Sequence, residues 1–131
     1  MEKQLRNVAI FSIVAGTIHF IGETWWHIVF GQFLPMLIVD YIAISLLLGA
    51  GAIYLVQGRA FGLLCGAWGF ECCLAYRALF SRVEVLLHGE ATTAVTIEIQ
   101  ILGGMLLVSA MMLLLSMILH YRSDTASQAR A

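Results

Sequence analysis

The chain has 131 residues, of which 61% are hydrophobic and 11% charged, and its mean hydropathy is +0.92. A soluble domain carries about 25% charged residues, so this deficit excludes an ordinary water-soluble fold and points to an integral membrane protein. A formal net charge of −1 provides no basic footprint and argues against a nucleic-acid partner.

A membrane-crossing helix needs roughly 20 mainly apolar residues. Four stretches meet that need, at about 7–30, 34–56, 60–80 and 94–119. The expected fold is therefore an all-α, integral membrane four-helix bundle forming a single domain over residues 1–131. No cleavable leader is expected, because the first apolar run is too long for a signal core and no small-residue cleavage site follows it cleanly.

The first stretch ends at Gly31, a residue suited to the left-handed turn after a helix. Pro35, the only proline, suits the first turn of the second helix. The short turn between them forces an antiparallel hairpin. Gln57-Gly58-Arg59 makes a second tight turn. Residues 81–93 read as the only sizeable loop, and 123–131 as a polar, frayed tail. Cys65, Cys72 and Cys73 lie in one apolar stretch without metal or redox spacing and read as small packing residues.

Lys3, Arg6, Arg59, Arg122 and Arg130 would share one side of the membrane, against Arg77 and Arg82 on the other. The positive-inside rule then places both termini in the cytoplasm. Trp25 and Trp26 would sit near the outer interface, where amphipathic rings are favoured.

The candidate site is organised around His19, Glu23 and His27, spaced i, i+4 and i+8 inside the first apolar run. On a helix these project from one face, together with Ser12 and Gly16. Depth at 1.5 Å per residue places Asp40, Glu71, Arg77 and Glu98 in the same outer half of the bilayer. Each of the four helices thus brings a carboxyl to one level, and no charged residue lies in the inner half away from its boundary. Ionisable groups in a membrane are costly and call for a partner, a proton or a ligand. Thr96 and Gln100 face away from Glu98 and read as hydrogen-bonders between helices.

Glu23, Asp40, Glu71 and Glu98 cannot all be ionised with Arg77 as their only fixed counter-charge. One resolution is acid–base chemistry on a hydrophobic small molecule, such as isomerisation, cyclisation or epoxide opening. Glu23 and Glu71 would be proton donor and acceptor, and His19 and His27 would relay protons. Asp40 and Arg77 would pair and orient the site, and Glu98 would assist. Trp25, Trp26, Tyr41, Trp68 and Tyr76 would line the pocket and steady positive charge.

Metal binding is an alternative, since His and Glu are suitable ligands. The Glu-x-x-His and His-Glu-x-x-His patterns are absent, however, and His19 and His27 stand about 12 Å apart along the axis. The site residues therefore include no metal ligand, and no cofactor is specified. Proton-coupled transport or quinone binding is a further alternative, but in the inner half only Ser109, Ser116 and Tyr54 continue a polar path. The plainest alternative is a bundle locked by interhelical hydrogen bonds.

The expected partners are membrane lipids and the hydrophobic small molecule. Gly58, Gly62, Gly66 and Gly69 add a small-residue face on the third helix, fit for close packing within the chain or for a homodimer contact.

Overall fold

The computed structural model describes residues 2–58, 61–89 and 92–128. They form four helices: α1 (Glu2–Phe30), α2 (Leu34–Gln57), α3 (Phe61–Leu87) and α4 (Thr93–Gln128). Each is long and apolar enough to cross a membrane, and the described residues contain no strand. Helices are the natural solution here, because an isolated span must satisfy its backbone hydrogen bonds internally.

The turns form as their residues require. Gly31 adopts φ +70°, and its N–H reaches the carbonyl of His27 at 3.0 Å. Pro35 falls in the first turn of α2, where no backbone donor is lost. Gly58 closes α2 at φ +62° and donates to the carbonyl of Tyr54. Arg59, Glu90 and Arg130 lie outside the described residues.

Three expected boundaries change: α1 already begins at Glu2 rather than near residue 7, and two helices run on at their C-terminal ends, so that 123–128 of the expected frayed tail are helical. α3 continues through Ser81 to Leu87, so most of the expected 81–93 loop is helical. Its sequence Ser81-Arg82-Val83-Glu84-Val85-Leu86-Leu87 carries no glycine or proline to stop the helix. α4 likewise passes residue 119 and ends at Gln128. At 1.5 Å per residue it is about 54 Å long, so its last turns extend beyond a hydrocarbon layer of about 30 Å.

α1 packs along α2, α2 along α3, and α3 along α4, while α1 meets α3 and α4 only sparsely. The start of α1 and the end of α4 lie at one end of the bundle, here the terminal end; the 31–33 turn and Gly89 mark the loop end. Gly51 sets the α1–α2 distance. A Cβ there would stand 2.8 Å from the carbonyl oxygen of Ala9 and 2.7 Å from Ile13 Cγ1. On α3, the nearest atoms to Cβ positions built at Gly62 and Gly69 belong to His120 and Leu113 of α4, both at 3.8 Å. Two of the four glycines therefore face α4 within the chain, whereas Gly58 and Gly66 face open space.

The core gathers near the terminal end and the middle of the bundle. Leu5, Val8 and Ala9 of α1 meet Leu47, Ala50 and Tyr54 of α2, and Phe61, Leu64, Ala67 and Trp68 of α3. Trp68 is the largest fully buried side chain, 1% exposed.

Candidate functional site

α1 presents Ser12, Gly16, His19 and Glu23 on one face because these positions recur every three or four residues. Glu71 is carried on the face of α3 that also buries Leu64, Ala67, Trp68 and Ala75. These two faces meet across the bundle through long side chains.

His19 lies between two carboxyls. Its Nδ1 is 3.1 Å from Glu71 Oε1, and its Nε2 is 3.7 Å from Glu23 Oε1, one turn along α1. The three groups differ in access. The side chains of Glu71 and His19 are 5% and 8% exposed, whereas that of Glu23 is 26% exposed. Glu71 Oε2 and the Nδ1 atoms of His19 and His27 are buried without a hydrogen-bond partner, so His19 and Glu71 are close but not aligned as a hydrogen bond. The array runs from a partly open carboxyl, through an imidazole, to a closed carboxyl with an oxygen to spare.

Below this array the contact between α1 and α3 is sealed. Trp68 Nε1–H donates to Ser12 Oγ at 2.9 Å, and the Ser12 hydroxyl donates to the carbonyl of Val8. The Trp68 ring stacks on Phe11, centroids 5.9 Å apart. Trp68, expected as a pocket wall, is thus a buried strut.

Above and beside the array lie two separate pairs. Gln32 Nε2–H donates to Asp40 Oδ2 at 2.6 Å. The Thr24 and Tyr41 hydroxyls are 3.0 Å apart, and the Tyr41 ring lies tilted against Phe20.

Asp40 stays within electrostatic reach of Glu23, His19 and Glu71, whereas the other expected residues part from the cluster. Asp40 takes Gln32 as its partner rather than Arg77, which is exposed and forms no ion pair among the described residues. Glu98 pairs with Arg82, Nε to Oε2 at 2.8 Å, at the loop end of the α3–α4 hairpin; the helical continuation of α3 is what puts Arg82 within reach. Tyr76 is exposed and lies against Phe80. Trp25 and Trp26 group with Phe30 at the loop end, and Trp25 is largely exposed. Thr96, expected to bond between helices, donates instead to the carbonyl of Thr92.

Two concavities mark the surface. One, about 460 Å³, lies on the outward face of α2 over Ile38, Tyr41, Ile42, Ser45 and Leu46. The other, about 340 Å³, is a cleft between α1 and α4 near the terminal end. Neither is lined by a carboxyl or a histidine, and Glu23, His19 and Glu71 lie against one another. Among the described residues, no three His, Cys, Asp or Glu side chains form a group able to hold a metal ion.

Sequence reasoning overlooked Gln32 and Thr24 as partners. Gln32 follows the helix-ending Gly31, so only the turn's geometry reveals that its amide folds back onto Asp40. No family model matches the chain, and no curated protein or solved structure was found to match it.

Proposed function

We propose that this protein is a small membrane-embedded acid–base catalyst or binder of a hydrophobic small molecule, working through Glu23, His19 and Glu71. The observation that carries this reading is the imidazole held between two carboxyls of unequal access. An imidazole can accept a proton at one ring nitrogen and release one from the other. A proton taken from Glu23 at Nε2 is matched by release from Nδ1 to Glu71, and the reverse step reloads Glu23. Glu23 exchanges the proton with the bound molecule, and Glu71 serves as its buried reservoir.

Glu23 is the accessible end of the array, its side chain 26% exposed. Gly22, beside Glu23, leaves open space where a side chain would stand. The Ser12–Trp68 contact closes the array toward the terminal end, which favours chemistry at the site over proton passage across the membrane. The proposed orientation has both termini in the cytoplasm, from the bias of Lys3, Arg6, Arg59, Arg122 and Arg130 over Arg77 and Arg82.

Proton transfer to or from carbon in heavy water leaves a deuterium label. Purified protein in nanodiscs is incubated with a total lipid extract in heavy water, and the extract is read by mass spectrometry. The wild type is expected to label at least one lipid-soluble species, Glu23→Gln to abolish the label, and Glu71→Gln to slow it at least tenfold. No label with the wild type, or equal labelling by all three proteins, overturns the catalytic reading and leaves binding alone.

A further inference from the structure

The cleft between α1 and α4 is lined by Gln4, Asn7, Val8 and Phe11 on one side and Met112 and Leu115 on the other. Its lining is graded. The two amides lie toward the terminal end, and the apolar side chains lie deeper. From Gln4 to Phe11 is about 10 Å along α1, most of the ~15 Å depth of one hydrocarbon leaflet. The floor is firm, because Phe11 is stacked on the buried Trp68 ring.

The rim is cationic. Lys3 stands one turn before Asn7, and Arg122 two turns after Leu115 along the same side of α4. Both are exposed, and neither is in an ion pair among the described residues. Amides and cations above an apolar trough match the order of groups in a phospholipid, with phosphate outside and acyl chain inside. Basic residues at a membrane surface favour anionic lipid.

We propose that this cleft is a binding site for an anionic phospholipid of the leaflet at the terminal end. One acyl chain lies over Val8, Phe11, Met112 and Leu115, and the phosphate oxygens accept hydrogen bonds from Gln4, Asn7, Lys3 and Arg122. The site is independent of the acid–base reading, since it shares no residue with Glu23, His19 or Glu71. A second copy of the chain is the competing occupant, but it would bury Lys3 and Arg122 against the same charges on its twin.

The test is native mass spectrometry of protein released from nanodiscs containing equal phosphatidylglycerol and phosphatidylcholine. One phosphatidylglycerol per wild-type chain is expected. Each rim cation contributes about fivefold to the preference for anionic lipid, so K3Q/R122Q should lose at least tenfold of it. Leu115→Trp, which fills the cleft from an exposed position, should release the lipid, while E23Q should keep it. Equal retention of the two lipids by the wild type, undiminished binding by Leu115→Trp, or a lipid-free dimer that Leu115→Trp dissociates would each overturn the proposal.

Discussion

The α1–α2 interface offers the sharpest test of the packing, through Gly51→Ala. The new methyl group would stand 2.8 Å from the Ala9 carbonyl oxygen and 2.7 Å from Ile13 Cγ1. The Ile13 side chain can rotate, but a helix carbonyl cannot, so α1 must retreat by about 0.6 Å to reach ordinary contact at 3.4 Å. Overpacking of this kind costs about 1–3 kcal/mol. Alanine also favours helix over glycine, by up to about 1 kcal/mol in water, which would mask part of the loss. Gly49→Ala on the same helix supplies the correction, since nothing lies within 4 Å of its new methyl. Gly51→Ala should therefore be less stable than Gly49→Ala by about 1–3 kcal/mol, roughly a five- to 150-fold change in the folding equilibrium. Gly16→Ala should fall between them, because its methyl meets the Leu48 side chain at 3.1 Å, which can rotate, and the Leu47 Cβ only at 3.3 Å. Unfolding by sodium dodecyl sulfate in mixed micelles, followed by tryptophan fluorescence, measures all three. Equal stability of Gly51→Ala and Gly49→Ala would refute the close approach of α1 to α2.

Three further outcomes follow from polar groups. Ser12→Ala should cost about 1–3 kcal/mol, because it leaves the buried Trp68 N–H without its acceptor; in a double-mutant cycle, adding Trp68→Phe should then cost less than it does alone. Ser116 Oγ is buried with no partner, so Ser116→Ala should be neutral or stabilising by up to about 1 kcal/mol in the same unfolding assay. Arg82→Gln should cost only about 0.2–1 kcal/mol, less at high salt, since the Arg82 side chain is 42% exposed.

The four crossings, the turns at Gly31 and Gly58 and the opposed faces of α1 were legible because each rests on a local rule: span length, a left-handed glycine, helical periodicity. The level shared by His19 and Glu71 was legible too, since helix rise converts residue number to depth. Depth does not give azimuth across the bundle. Asp40 and Arg77 lie at similar expected depth, yet they sit on faces that do not meet, and the Gln32 amide reaches Asp40 first. Glu98 lies at the expected level near the start of α4, but its partner, Arg82, was not legible for a related reason. The stretch 81–87 looked like a loop, so Arg82 was not projected as the next turn of α3 beside α4.

The position of the array between the two hairpins distinguishes a proton role from a merely structural one. α1 is held along α2, but its approach to α3 is sparse and includes two polar bridges, Ser12–Trp68 and His19–Glu71. These bridges therefore help fix how the α1–α2 hairpin sits on the α3–α4 hairpin. If Glu71 mattered only for that placement, its amide isostere would serve nearly as well, because Glu71→Gln keeps a side-chain oxygen of the same shape facing His19 Nδ1. A carboxyl that must take up and return a proton has no such substitute, since an amide oxygen is far less basic. A Glu71→Gln protein with wild-type stability but slowed deuterium labelling would place the role of Glu71 in proton exchange. Equal loss of stability and labelling would reduce the array to a fastening between the hairpins.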